Sequence, residues 1–183
     1  QLHGQAMSFN NLLDLARLDA GRMPMVVTEQ DMVAFVRSYI DTVRSAFETR
    51  RLELKVISSR DSIMVYFDPE KMDKVFMNLF SNAFKYTEPG GSITVRVIDD
   101  DRACYIEFED TGAGIPRDNL DIIFDRFGQA HAGAHRRGEG SGIGLSLARN
   151  IVRALGGEMR LESGGVGEVD HHVGMVEGVS IMI

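Results

Sequence analysis

From Asp68 to Pro89 the chain reads DPEKMDKVFMNLFSNAFKYTEP, a helix with two unlike stripes and strand signals on either side. Asp68-Pro69 supplies an N-cap and a first-turn proline. At about 100° per residue, Met72, Val75, Phe76, Leu79, Phe80 and Ala83 form one broad apolar stripe that reads as core. Lys71, Lys74, Asn78, Ser81, Asn82 and Lys85 form a second stripe beside it, with Tyr86 on the border. The ordinary reading of that second stripe is a solvated face. Asparagine is a mediocre helix former, however, and Lys or Glu would solvate a face at less cost. Asn78 and Asn82, one turn apart and in register with Lys85, could instead hold a metal ion and the anions around it.

The flanking segments define the layer this helix packs on. LELKVIS and SIMVYF precede it as strands, and SITVRVI and RACYIEFED follow as an antiparallel hairpin through DDD. Upstream, MPMVVTEQ reads as a short strand. Asp31 to about Arg51 reads as a helix with Met32, Phe35, Val36, Tyr39, Ile40, Val43 and Phe47 on one side. SGIGLSLARNIVRALGG is a further helix capped by Gly156-Gly157, and EMRLES and VSIMI close the chain as strands. This order indicates an α+β fold: a two-layer sandwich of a mixed, mostly antiparallel sheet with helices on one face. Residues 1–22 form a separate helix with Phe9, Leu12, Leu13 and Ala16 at helical spacing, widened by Leu15 and Leu18. Gly21 stops it and Pro24 marks the break, so the main domain is expected over 23–183. Residues 116–140 are polar and longer than a structureless connection should be, which suggests a functional lid.

Composition narrows the function classes. A length of 183 residues and 44% hydrophobic content suit one ordinary domain with a short appendage. The net charge of −7 argues against non-specific nucleic-acid binding. No apolar run is long enough to span a bilayer, although an anchor upstream stays open. The single cysteine, Cys104, rules out an internal disulfide and fits a reducing, cytoplasmic setting.

Three further segments carry chemistry. On the strand before DTGAGIP, Cys104, Ile106 and Phe108 share one face, and Asp110 continues it inward. A carboxylate there needs a donor. It either caps its own turn through the backbone of Gly112 or accepts from an exocyclic amine of a flat ligand. Gly112 and Gly114 would let backbone approach such a ligand closely. GEGSGIGL, residues 138–145, alternates glycine with other residues and opens into a helix, an arrangement that exposes amides to anions. It lacks the preceding strand of a dinucleotide fingerprint and the Gly-Lys-Ser/Thr of a Walker A loop. IFDRFG places Phe124 and Phe127 three apart, as aromatics pinning a loop or as a hinge under a lid.

In this order, NLFSNAFKYT, DTGAGI, IFDRF and GEGSGIGL resemble the N, G1, F and G2 boxes of the ATP-binding catalytic domain of sensor histidine kinases. These belong to the Bergerat-fold superfamily shared with gyrase, Hsp90 and MutL. The resemblance covers roughly residues 25–183. It implies that Asn82 places its carboxamide oxygen on Mg²⁺ and that Asn78 supports that site. It implies further that Lys85 reaches a phosphate, Tyr86 lies along the ATP, and Asp110 accepts from the adenine amino group. Gly112, Gly114 and Ile115 would line the base pocket, with Phe127 at the lid. Gly140, Ser141, Gly142, Ile143, Gly144 and Leu145 would meet the phosphates. On the closing strand, where the family usually has a Ser-Thr pair, Val179-Ser180 leaves the hydroxyl of Ser180. Hydrolysing relatives carry a glutamate base four residues before the metal asparagine; that position here is Asn78, so the resemblance implies phosphoryl transfer to a protein histidine.

LLDLARLDAGRM is similar to the family's exit from its dimerisation and phosphoacceptor hairpin. None of the five histidines has the acceptor's acidic neighbour, so the acceptor is expected outside this chain, in a full-length homodimer that passes phosphate to a response regulator receiver domain. Three rivals are a non-catalytic nucleotide-binding module, a hydrolysing ATPase and a protein-serine kinase of the same fold. The intact Asn82, Asp110 and glycine loop speak against the first, Asn78 against the second, and the N-terminal helix against the third. The stretch from Ser163 to Gly178 is longer than the family's usual turn; its Asp170, His171 and His172 read as exposed loop before they read as metal ligands.

Overall fold

The computed structural model describes residues 2–115, 123–124, 143–163 and 177–183. Four helices are present among them: α1 (Leu2–Asp19), α2 (Met32–Thr49), α3 (Pro69–Tyr86) and α4 (Gly144–Ala154). The strands are β1 (Thr28–Asp31), β2 (Glu53–Ser58), β3 (Met64–Phe67), β4 (Ser92–Asp99), β5 (Cys104–Asp110), β6 (Glu158–Ser163) and β7 (Glu177–Met182). The α+β sandwich is as the sequence indicates. The expected lid apart from Ile123 and Phe124, together with Phe127, Gly140, Ser141, Gly142, Asp170, His171 and His172, lies outside the described residues.

Five strands form one mixed sheet in the order β2-β4-β5-β7-β6, in which β2 and β4 are parallel and the other pairs antiparallel. A parallel pair needs a crossover, and the chain between β2 and β4 supplies it with α3. Strands β1 and β3 do not join this sheet. They pair with each other, antiparallel, from Thr28 opposite Phe67 to Asp31 opposite Met64. β1 thus starts five residues later than the MPMVVTEQ pattern suggests. Val26 and Val27, counted there as strand, are exposed.

Two aspartates lock these pieces in place. Asp31 caps α2 by accepting from the amides of Val33 (2.9 Å) and Ala34 (3.3 Å), and it also accepts from Ile63 N–H at 3.2 Å. Burial opposes its charge, but these donors hold its carboxyl below the usual range. Asp68 does the same for α3, accepting from Lys71 N–H at 3.1 Å and from Val26 N–H at 2.7 Å. Each cap therefore fastens a distant loop as well as a helix start.

The core lies between the helices and the inward face of the sheet, where Ile93, Val95, Val97, Cys104, Ile106, Phe108, Met159 and Ile181 are buried. Burial and nearby Asp99 push the Cys104 thiol up to about 11. Phe76 of α3 is the meeting point. Its ring stands edge-on to Phe35 (5.3 Å between centroids), Tyr39 (5.5 Å) and Phe108 (5.1 Å), and lies tilted against Phe80 (6.2 Å). Burial, with Asp73 nearby, raises the Tyr39 phenol above its ordinary range.

Helix α1 departs from the expected stripe. Leu12 and Leu13 are exposed, whereas Asn11, Asp14 and Leu15 are buried. Asp14 bonds Lys74 of α3, and Asn11 Nδ2 donates to Asn78 Oδ1 at 3.4 Å. α1 packs on α4 and reaches the polar stripe of α3 through these two side chains, so a polar edge of α1 turns inward with Leu15.

Removing the central ring should unfold much of this. Phe76→Ala is expected to lose about 3–5 kcal/mol, the usual range for a large buried aromatic. Urea denaturation should show a lower midpoint with an unchanged slope.

Candidate functional site: an acid and a two-asparagine helix

The site is built along the C-terminal half of α3, from Asn78 to Tyr86. Asn78 and Tyr86 are eight positions apart on that helix, roughly 12 Å at 1.5 Å per residue. At the Tyr86 end, β5 delivers Asp110 opposite Ile93 of β4 and Glu177 of β7. Asp110 Oδ1 accepts from Gly112 N–H at 2.8 Å and from the Thr87 hydroxyl at 3.4 Å. The turn-capping reading of Asp110 therefore holds. These bonds go to one oxygen, which leaves the carboxylate acceptor capacity for a ligand. Burial pushes its carboxyl above the usual range, while Gly112 and Thr87 pull the other way.

Glycine is required where β5 turns under α3. A Cβ on Gly112 would stand 2.5 Å from Asp110 Oδ1 and 3.1 Å from the Tyr86 carbonyl oxygen. Gly114 has φ +73°, a conformation that other residues adopt only at a cost. Ile115 follows, half-buried. The Tyr86 ring is 50% exposed and lies under the Lys85 ammonium, 5.0 Å from its centroid.

Two turns earlier, in the middle of the helix, Asn78 is 4% exposed and packs against the start of α4. A Cβ on Gly144 would collide with Asn78 Oδ1. Asn78 Nδ2 donates to the Lys74 carbonyl at 2.8 Å, and its oxygen is taken by Asn11. Ile143 occupies the cap position of α4 without a side-chain cap, and the first helical bond is Leu147 N–H to Ile143 O at 2.9 Å. The amides of Gly144, Leu145 and Ser146 consequently have no partner among the described residues, so they can meet an anion. Asn82 is half-buried, one turn on from Asn78, and its carboxamide is likewise unpartnered among the described residues.

This donor set fits Mg²⁺ only when the ion is shared with phosphates. Among the described residues no group of three His, Cys, Asp or Glu could hold a metal, while the Asn82 oxygen is a free hard ligand. Sequence reading missed Thr87 and Asn11. Thr87 stands just after the last helical residue, where a cap is expected, but its bond to Asp110 crosses 23 positions. Asn11 gave no signal, because nothing local says which face of α1 is covered.

Fold and site together define an ATP-binding sandwich. Residues 67–174 match the histidine kinase-, DNA gyrase B- and HSP90-like ATPases, and the chain belongs to that family. It is 34% identical over 155 residues to histidine kinase P4 of Formosa agariphila, covering 83% of this chain and 11% of that protein. It is 32% identical over 159 residues to hybrid signal transduction histidine kinase D of Dictyostelium discoideum, covering 84% and 10%. This chain thus spans about a tenth of the length of these relatives. Its fold matches that of full-length ShkA, solved in complex with AMPPNP, with TM-score 0.79, 21% identity, and coverage of 98% of this chain and 35% of that one. No helix among the described residues is long and apolar enough to cross a membrane.

The raised Asp110 carboxyl carries a sign. The folded state holds this proton at a pH where the unfolded chain, with a carboxyl near ~3.9, has released it. The nucleotide-free protein therefore loses stability through Asp110 as pH rises from about 4 through the folded value. Asp110→Asn should remove that loss and flatten this part of the pH profile. Urea midpoints of both proteins between about pH 4 and 8 would test it; parallel profiles would show that Asp110 titrates as an exposed acid.

Proposed function

We propose that this chain is the catalytic part of a two-component sensor histidine kinase, moving the γ-phosphoryl group of ATP to a histidine on a separate phosphoacceptor segment. A response regulator receiver domain would take the phosphate onward. The observation that carries this reading is Asn78. A hydrolase needs a base at that place to activate water, and a carboxamide cannot take up a proton. Both ends of the Asn78 carboxamide are already engaged, by the Lys74 carbonyl and by Asn11. Catalysis then rests on positioning and charge neutralisation.

In this reading Asp110 accepts from the adenine amino group, between Gly112, Gly114 and Ile115, with Tyr86 along the nucleotide. Lys85 reaches a phosphate, and the amides of Gly144 and Leu145 hold the rest of the triphosphate at the head of α4, beside Ile143. Asn82 holds Mg²⁺, which when bound neutralises phosphate charge. Phe127, Gly140, Ser141, Gly142 and Ser180 are assigned by motif alone. Residues 1–22 are the end of the dimerisation hairpin and 23–183 the catalytic domain, in a homodimer that takes no nucleic acid. Its work is cytoplasmic.

With Mg-ATP and a separately supplied acceptor domain, acid-labile phosphohistidine should form on the acceptor, with little free phosphate. Steady phosphate release without transfer would make the protein a hydrolase. Asn82→Ala should reduce affinity for Mg-ATP by about tenfold or more while sparing weak metal-free binding. Equal loss with and without Mg²⁺ would reduce Asn82 to a structural part. Asp110→Asn should weaken ATP binding by about 1.5–3 kcal/mol, roughly ten- to a hundredfold. Calorimetry on the folded variant checks it.

A further inference from the structure

Helix α4 carries a residue that stability alone does not explain. Arg149 lies five positions after Gly144, on a helix whose neighbours Leu145, Ala148 and Val152 are buried. Its Nε is buried and has no hydrogen-bond partner among the described residues. A guanidinium nitrogen shut away from water without an acceptor is costly, and Leu or Met would fill a half-buried helix position without that cost. One contact accounts for the placement. The guanidinium carbon stands 4.5 Å from the centroid of the Phe124 ring, in range for a cation over an aromatic face.

Phe124 sits at an informative place in the chain. Asp110, Gly112 and Gly114 precede the stretch that runs from Ile115 to Ile143, and the first-turn amides of α4, unpartnered among the described residues, follow it. Within that stretch Ile123 and Phe124 pack, half-buried, against the core. Fixing the chain there divides a long connection into two shorter ones, and shorter loops cost less entropy to close. The anchor is held by the same helix whose first turn faces the phosphate end of the site, so the two are set by one rigid element.

We infer that Arg149 is a positioning residue for nucleotide binding, acting through Phe124: it clamps that ring to α4 and so fixes the chain between the base end and the phosphate end of the site. This rests on the functional reading above. Arg149 touches no proposed ligand atom. Its positive charge over the ring, more than its volume, is what the clamp uses. A lysine can therefore replace it in part, whereas a methionine of similar length cannot.

The test uses the full chain with Arg149→Lys, Arg149→Met, Phe124→Leu and the Arg149→Met/Phe124→Leu double variant. Affinity for Mg-AMPPNP is read by calorimetry, and hydrogen exchange is read at residues 123–124. Arg149→Met should weaken the nucleotide by about three- to tenfold, and Arg149→Lys by clearly less. The double variant should be no weaker than Phe124→Leu, because both changes break one contact. Exchange at 123–124 should be faster in Arg149→Met without nucleotide. A merely structural arginine would lower the melting temperature but leave the losses additive and unrescued by lysine; that pattern, or unchanged affinity in Arg149→Met, overturns the inference. If the wild-type chain binds no nucleotide, the functional reading fails, and unchanged exchange at 123–124 would overturn the clamp separately.

Discussion

The site stands on the packing of α3 against the sheet through Phe76. That ring touches Phe35 and Tyr39 of α2, Phe80 of its own helix and Phe108 of β5. Aromatic pairs of this kind add about 0.5–1.5 kcal/mol each beyond the area they bury. Because the contacts outside its own helix come from two elements, α2 and β5, they fix the rotation of α3 about its axis as well as its distance from the sheet. The opposite consequence follows at once: the stripe of α3 not used for packing must face α1, α4 and the end of β5. Asn78, Asn82, Lys85 and Tyr86 are placed by a core they hardly join.

Much of this was legible in the chain because local chemistry and long-range packing agree. Asp68-Pro69 marks the start of α3 and does cap it, and the apolar positions named on that helix from periodicity are buried. The strand of Cys104, Ile106 and Phe108 was readable for the same reason. Periodicity did not reveal which strands share a sheet. β1 and β3 are short and pair only with each other, and that separation depends on Asp31 and Asp68 binding loops far away in sequence. Nor did it give the orientation of α1. Its leucines outnumber its buried polar residues, but the partner surface offers Lys74 and Asn78, so Asn11 and Asp14 turn inward and two leucines remain outside.

At Asp110 two sequence readings turned out not to compete. The carboxylate caps the turn at Gly112, and the same bonds orient it without exhausting it. Held by the turn, it keeps the acceptor capacity that the proposed adenine contact would use. Asn78 shows the reverse. Its residue type was readable as a place where a base is lacking, whereas its engagement by Asn11 was not, since that contact joins positions 67 apart.

The parallel pairing of β2 with β4 sets the order in which the chain can become competent. Those strands close around α3, so the helix that bears the asparagines lies inside the loop they define. Non-local pairings of this kind form slowly, since loop entropy is lost before contacts repay it. On a ribosome, where the chain emerges from its N-terminus, α2, β2 and α3 are made before the strand that must lie beside β2. Until β4 and β5 arrive, Phe76 lacks Phe108 and Asp110 does not exist. Nascent chains therefore expose an aromatic helix face before β5 brings Phe108 and Asp110 to it, an interval in which that apolar face is open to wrong contacts.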